Sequence, residues 1–227
     1  MELKHIGVIM DGNRRWAKRH AFELTRGHNK GSEVFGHLCQ WCLDDHIPFL
    51  TVYAFSTENW RRNEREIRYL LGLLEKYFVE EKENCIAKGI RIKIIGNTRL
   101  FDDKINGILT DIQTATAHCN KLVVQIALSY GGRDEMIRAI KKIPVEKLNT
   151  GLTEENFANY LDTAGTPDVD LVIRTGGAEN MRLSNFLLWQ TAYAELFFSD
   201  LLWPDFSQAE LRRAMDYYKN TKRKMGR

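Results

Sequence analysis

Proline, cysteine and unbalanced charge are all scarce in this 227-residue chain, and each scarcity removes a class of protein. Four prolines and 16 glycines, beside 44% apolar and 28% charged residues, exclude a disordered, collagen-like or low-complexity scaffold. A chain this long is expected to form a single domain over residues 1–227, with a sizeable core. Its 33 basic and 30 acidic residues give a formal charge of only +3, which argues against bulk binding to nucleic acid. Any anionic partner must be read from local clusters.

Cys39, Cys42, Cys85 and Cys119 are too few to staple a domain of this size, and no secretory signal is evident, so a cytoplasmic setting is expected. Cys39 and Cys42 form a C-x-x-C, but they share helical spacing with Val34 and Leu38 and no second ligand pair follows; buried thiols are favoured over zinc. The longest apolar runs, at 122–128 and 186–198, fall short of the roughly twenty residues needed to cross a bilayer. Nucleotide signatures of the G-x-x-x-x-G-K-[ST] and G-x-G-x-x-G types are absent too, which counts against a P-loop nucleotidase or a dinucleotide enzyme.

What is present is an alternation. Strand-like segments at 6–10, 49–55, 90–95, 122–128 and 171–173 are separated by helical patterns, expected near 31–44, through Ile67, Leu70, Leu71, Leu74 and Phe78, and near 102–118. A short docked helix is expected around Phe157 and Leu161. Such an order predicts an α/β fold with a largely parallel central sheet flanked by helices.

In open parallel sheets ligands bind beyond the carboxyl ends of the strands, so the loops there are where chemistry is sought. After the first strand Asp11 is followed by Gly12, which allows a tight turn, and by Asn13, placed to cap a helix carrying Arg14, Arg15, Lys18 and Arg19. The stretch fits a metal-bound diphosphate and also fits an Asp-Gly turn with solvated basic residues. After the second strand Ser56, Thr57, Glu58 and Asn59 offer helix caps, followed by Trp60, Arg61 and Arg62. After the 171–173 strand, Arg174 and Arg182 bracket a glycine pair ahead of Ser184, a set able to grip a diphosphate through bidentate charge-assisted hydrogen bonds. Gly131, Gly132 and Arg133 read as the opening of a helix. Three such loops together point to a pocket for more than one phosphorylated ligand.

The segments "HIGVIMDGNRRWAKR", "GHNKG", "YAFSTENWRR", "SYGGRDE", "DLVIRTGG" and "RLSNFLLWQTAYAELFF", in this order across residues 5–206, resemble the signatures of the cis-prenyltransferases, above all the bacterial ones. The resemblance implies a homodimeric, Mg²⁺-dependent transferase that condenses farnesyl diphosphate with successive isopentenyl diphosphate units. Its product would be a long-chain Z,E-polyprenyl (undecaprenyl) diphosphate, a lipid carrier precursor for cell-wall polysaccharide. Also implied are a sheet of about six strands, a hydrophobic tunnel between the sheet and two helices, and peripheral contact with the inner membrane face.

Residue by residue, the resemblance makes Asp11 the carboxylate that places Mg²⁺ and Glu195 a second metal-associated carboxylate, contributed across the dimer. Gly12, Asn13, Arg14, Arg15 and Trp16 cradle the allylic diphosphate, with His28 nearby, and Asn13 also helps withdraw the isopentenyl proton. Arg174, Arg182 and Ser184 clamp isopentenyl diphosphate. Ser56, Thr57, Glu58, Asn59, Trp60, Arg62 and Glu66 belong to a segment that closes over substrate, with Asn59 counted beside Asp11 and Asn13 as catalytic. Two departures stand out: Leu24 where relatives often carry Arg, with Arg26 closer to His28, and a lengthened loop containing Glu179.

The stripe from Ile67 to Phe78, with Ala54 and Phe55, reads as plain core by pattern and as tunnel lining by resemblance. Rival readings are weaker. The D-D-x-x-D motif of trans-prenyltransferases is met only by "DDKIN", ending in Asn106; a non-catalytic prenyltransferase-like subunit would have lost Asp11, Arg182 and Ser184; a phosphate-binding hydrolase would show a nucleophile motif.

Overall fold

The computed structural model describes residues 2–177 and 180–221. Six parallel strands, β1 (His5–Ile9), β2 (Phe49–Ser56), β3 (Ile90–Ile95), β4 (Leu122–Tyr130), β5 (Leu171–Arg174) and β6 (Glu195–Phe198), form one sheet in the order β3-β4-β2-β1-β5-β6. β1 is central and buried throughout, as its unbroken HIGVI run requires of a parallel strand covered on both faces. From β1 the chain builds outward first through β2 and later, on the other side, through β5 and β6. The crevice at this reversal lies between the loops after β1 and β5, which is where Asp11 and Arg174 stand.

The helices are α1 (Asn13–Arg19), α2 (Leu24–Asp44), α3 (Glu64–Lys88), α4 (Asp103–Ala115), α5 (Gly132–Lys142), α6 (Val145–Thr150), α7 (Glu154–Ala158) and α8 (Gln208–Asn220). Local chemistry sets their ends. Asn63 and Asp102 accept backbone N–H bonds from Glu66 (2.9 Å) and Ile105 (2.8 Å) to start α3 and α4, and Gly89, at φ +73°, stops α3.

The larger core packs α2, α3, α4 and α8 on the face bearing Ile6 and Val8; a smaller one, with Ile9, Phe186 and Leu187, covers the other face. Cys39 and Cys42 lie on the buried face of α2, where desolvation pushes both thiols up, as packed residues should behave. Among the described residues no helix is long and apolar enough to cross a membrane.

Two elements differ from expectation. α2 begins at Leu24, a full two turns before 31, because Gly27 and Gly31 are helical: a Cβ at Gly27 would lie 2.2 Å from the Asn13 carbonyl, so glycine there is a close-approach requirement and not a break. The apolar run 186–198 is mostly loop, with only its last four residues forming the edge strand β6.

Candidate active site

The loops after β1, β2 and β5 meet around Asp11. Its backbone is pinned by Thr175, whose Oγ1 accepts from Asp11 N–H (3.0 Å) and donates to Asp11 O (2.7 Å). Its carboxylate is held from both sides: Arg15 Nη2 donates to Oδ1 and Arg174 Nη2 to Oδ2, each at 3.0 Å. Arg174 is buried at 5% exposure and also donates through Nη1 to Ser184 Oγ (2.6 Å) and to the Arg182 carbonyl. Arg15 Nη1 reaches Gly176 O at 2.6 Å, and a Cβ at Gly176 (φ +112°) would lie 2.5 Å from the same guanidinium. Glycine at 176 therefore lets Arg15 and Asp11 approach the β5 loop.

Asp11 divides two polar clefts. One, of about 340 Å³, is lined by Gly12, Asn13, Arg14, Arg15, Lys18, His28 and Arg62. The other, of about 550 Å³, is lined by Ser56, Glu58, Asn59, Arg62, Arg174, Arg182, Ser184 and Asn185. An apolar cavity of about 130 Å³ adjoins the first cleft at Met10, Asn13 and His28 and runs between α2, α3 and β2, past Phe35, Ala54, Leu70, Leu71, Leu74 and Phe78. Leu70, Leu71 and Leu74 are half-buried: they line this cavity and also pack against the edge of the larger core. Ile67 packs on the core outside this lining.

Positive charge in the first cleft comes from guanidinium and ammonium groups. Burial, reinforced by Arg62, pushes His28 down to about 4, so at neutral pH it is an uncharged ring. Arg62 is steadied by Glu66 at 2.7 Å. Of the caps offered by the sequence, Ser56 opens the 3-10 turn Thr57–Arg61, its N–H donating to Asn59 Oδ1 (3.0 Å), while α3 itself is capped by Asn63.

Some expected residues are elsewhere. Gly12, at φ +118°, and not Asn13, is the cap of α1; Asn13 is its first helical residue. Trp16 donates to Asp205 Oδ1 (2.6 Å) on the outer side of α1, and Trp60 turns inward, donating to Ser129 Oγ (2.9 Å) and packing on Phe55 and Phe101. Neither Trp lines a cleft, and Thr57 does not either. Both indoles are steered by their need for a buried or paired N–H partner.

Arg26 lies over the Phe22 ring at 4.0 Å, occupied away from the clefts, and Leu24 opens α2. Glu179 is outside the described residues. Glu195 pairs with Leu171, which pairs with Ile6, so it is level with the start of β1. At about 3.3 Å per residue this puts it on the order of 10 Å or more from its own chain's Asp11, at the opposite end of the sheet.

Residues missed from sequence include Met10, Gly31, Thr175, Asn185 and Trp203. The last shows why: Trp203 N–H donates to Asp11 O (3.0 Å) and its indole to Gly31 O (2.8 Å), bonds spanning most of the chain. A Cβ at Gly31 would lie 2.5 Å from Asn13 Oδ1 and 2.8 Å from Trp203 Cδ1. Asn13 Oδ1 is itself buried and unpartnered. Gly31→Ala must therefore turn the Asn13 amide, and turnover is expected to fall about tenfold to a hundredfold through misplacement alone. Thermal melting within a few degrees of the parent would show the fold intact; unchanged turnover would remove Asn13 from the chemistry.

The comparisons agree with this geometry. A family model described as "Putative undecaprenyl diphosphate synthase" matches residues 9–226. An isoprenyl transferase of Wolinella succinogenes is 44% identical over 225 residues, covering 99% of this chain and 97% of that protein. One of Aquifex aeolicus is 40% identical over 224 residues, covering 99% and 96%. Among solved structures, the lavandulyl diphosphate synthase of Lavandula x intermedia, in complex with dimethylallyl diphosphate, has a TM-score of 0.92 at 29% identity, covering 99% of this chain and 98% of that one. A "probable undecaprenyl diphosphate synthase" of Campylobacter jejuni gives 0.84 at 38% identity with both chains fully covered. The all-parallel sheet, the Asp11 crevice and a family match over nearly the whole length lead to one conclusion: the chain belongs to the cis-prenyltransferase family, that of the undecaprenyl diphosphate synthases.

Proposed function

We propose that this enzyme extends farnesyl diphosphate with successive isopentenyl diphosphate units to a long-chain polyprenyl diphosphate. The observation that carries the reading is the placement of Asp11 between two cation-lined clefts, one of them opening into an apolar cavity. The first cleft, continuous with the cavity, takes the allylic diphosphate, whose tail needs a dry path. The second, with Arg174, Arg182 and Ser184, takes isopentenyl diphosphate. When the allylic diphosphate ionises, negative charge grows on the leaving group, and Arg14, Arg15 and Arg62 are fixed donors for it. Asn13, at the junction of the first cleft and the cavity, assists loss of the isopentenyl proton.

Among the described residues no three His, Cys, Asp or Glu side chains form a metal cage. Asp11, 31% exposed and with an acceptor site left on each oxygen beside its bonds to Arg15 and Arg174, is nonetheless a fitting donor for Mg²⁺, which is commonly held by one or two carboxylates plus substrate phosphates. When bound, the ion would neutralise diphosphate charge. A second carboxylate, Glu195, reaches such a site only from another subunit, which supports the homodimer. The long lipid product supports peripheral membrane contact. Incubation of the protein with farnesyl diphosphate and labelled isopentenyl diphosphate, with and without Mg²⁺, is expected to give Mg²⁺-dependent label in long polyprenyl products; no incorporation would overturn the reading.

Product length tests the cavity. Leu74→Trp, which lies three residues or more beyond Leu70 and Leu71 along α3, is expected to shorten the product on chromatography. If Leu74 were ordinary core, the same change would overpack it by about 1 to 3 kcal/mol and leave product length unchanged.

A further inference from the structure

The loop that follows β5 has to place Ser184 Oγ on Arg174 and then drop Phe186 and Leu187 into the core, and it does so through left-handed backbone at Ser184 (φ +48°), Asn185 (φ +65°) and Leu187 (φ +45°). Of the non-glycine residues, Asn is among those that tolerate this conformation best. Asn185 also makes three bonds to two other strand-end loops. Its carbonyl accepts from Gly132 N–H (2.7 Å) and its Oδ1 from Arg133 N–H (3.0 Å), which satisfies the first turn of α5. Its Nδ2 donates to Glu58 Oε1 at 3.3 Å, in the turn after β2. Both side-chain bonds fix the same amide orientation, acceptor toward α5 and donor toward Glu58. Gly131 is packed between the two partners: a Cβ there would lie 2.6 Å from Asn185 Nδ2 and 2.8 Å from Thr57 Oγ1.

We infer that Asn185 is a positioning residue that ties the loop bearing Ser184 to the turn bearing Glu58, so that the two walls of the second cleft hold one spacing. The inference rests on reading that cleft as the isopentenyl diphosphate site. α5 is the rigid anchor, because the bonds to Gly132 and Arg133 enter a helix. The bond to Glu58 is the longest of the three and joins an exposed side chain, so it is the weakest of the three ties. The clamp side of the cleft, Arg174 and Ser184, is thereby coupled to the opposite wall without Asn185 itself acting on the reacting atoms.

Asn185→Asp isolates the tie to Glu58. It keeps the tolerance for left-handed backbone and the acceptor for Arg133, but replaces the donor facing Glu58 with an oxygen. Hydrogen exchange of residues 57–62 without substrate is expected to quicken about threefold or more while the first turn of α5 stays protected; Asn185→Gly should loosen both. In steady-state assays Asn185→Asp is expected to raise KM for isopentenyl diphosphate about fivefold, with KM for farnesyl diphosphate within about twofold, and adding Glu58→Gln should restore both readouts. Unchanged exchange at 57–62, an equal rise in both KM values, or no restoration by Glu58→Gln would each overturn the inference. Absence of prenyl transfer by the parent enzyme would instead overturn the reading of the cleft, and the exchange measurement would still decide whether Asn185 is the tie.

Discussion

Asp11→Ala is expected to abolish all but a trace of prenyl transfer while the protein remains folded. The carboxylate lines both clefts, so on the proposed reading it acts on charge that both substrates bring and that rises when the allylic diphosphate ionises. Removing one group aimed at developing charge costs about 3 kcal/mol, roughly a hundredfold or more in rate. The structural cost is smaller than the buried position of Arg174 would imply. Asp11 is 31% exposed at its side chain, and Arg174 keeps Ser184 Oγ and the Arg182 carbonyl as acceptors when Asp11 is lost. Melting should fall by only a few degrees. Asp11→Asn keeps the shape and loses the charge, and it should be nearly as inactive; activity within about threefold of the parent at saturating Mg²⁺ would show that charge at this position does not govern the reaction.

That prediction could be made from the sequence because the information lies within a few consecutive residues. An apolar strand ending in Asp-Gly and followed by Arg14 and Arg15 carries its own geometry, since the strand end and the turn fix where the carboxylate and guanidinium groups go. The same holds for Ser56 and Asn59, whose cap closes over three residues. The central sheet was legible for a related reason: β1 to β5 are long or strongly apolar runs whose burial needs no partner to be inferred.

What could not be read depends on distant partners. Trp16 and Trp60 carry the right names for a substrate site, but each indole N–H is claimed by a residue far along the chain, Asp205 and Ser129 respectively. Gly31 looked like a helix boundary because nothing nearby in sequence reveals that Asn13 and Trp203 crowd it from outside. β6 is four residues at an exposed edge, too short for its pattern to stand out from the apolar loop before it.

The second large effect is expected at Arg174, where function and stability are joined in one side chain. A single guanidinium, 5% exposed, spans Asp11, Ser184 Oγ and the Arg182 carbonyl. On the proposed division of the clefts, Arg174→Ala is expected to remove a charge-assisted contact to isopentenyl diphosphate, worth about 1.5 to 3 kcal/mol and thus about tenfold to a hundredfold in its KM. The change also leaves Ser184 without its brace and frees one side of Asp11, so turnover should fall as well. Thermal unfolding is expected to report a loss on the order of 3 kcal/mol, because one half of a largely buried pair is gone, tempered by the water that reaches Asp11. Arg174→Lys separates the contributions. An ammonium keeps the positive charge beside Asp11 but cannot present a planar fork to three acceptors at once, so stability should recover in part while KM for isopentenyl diphosphate stays close to that of the Ala variant. Arg182→Ala supplies the contrast from an exposed position: a rise in the same KM with melting nearly unchanged. If Arg174→Ala raised KM equally for farnesyl and isopentenyl diphosphates, the two clefts would have been divided wrongly; if Arg174→Lys restored both KM and stability, charge alone would suffice and the fork geometry would carry no weight.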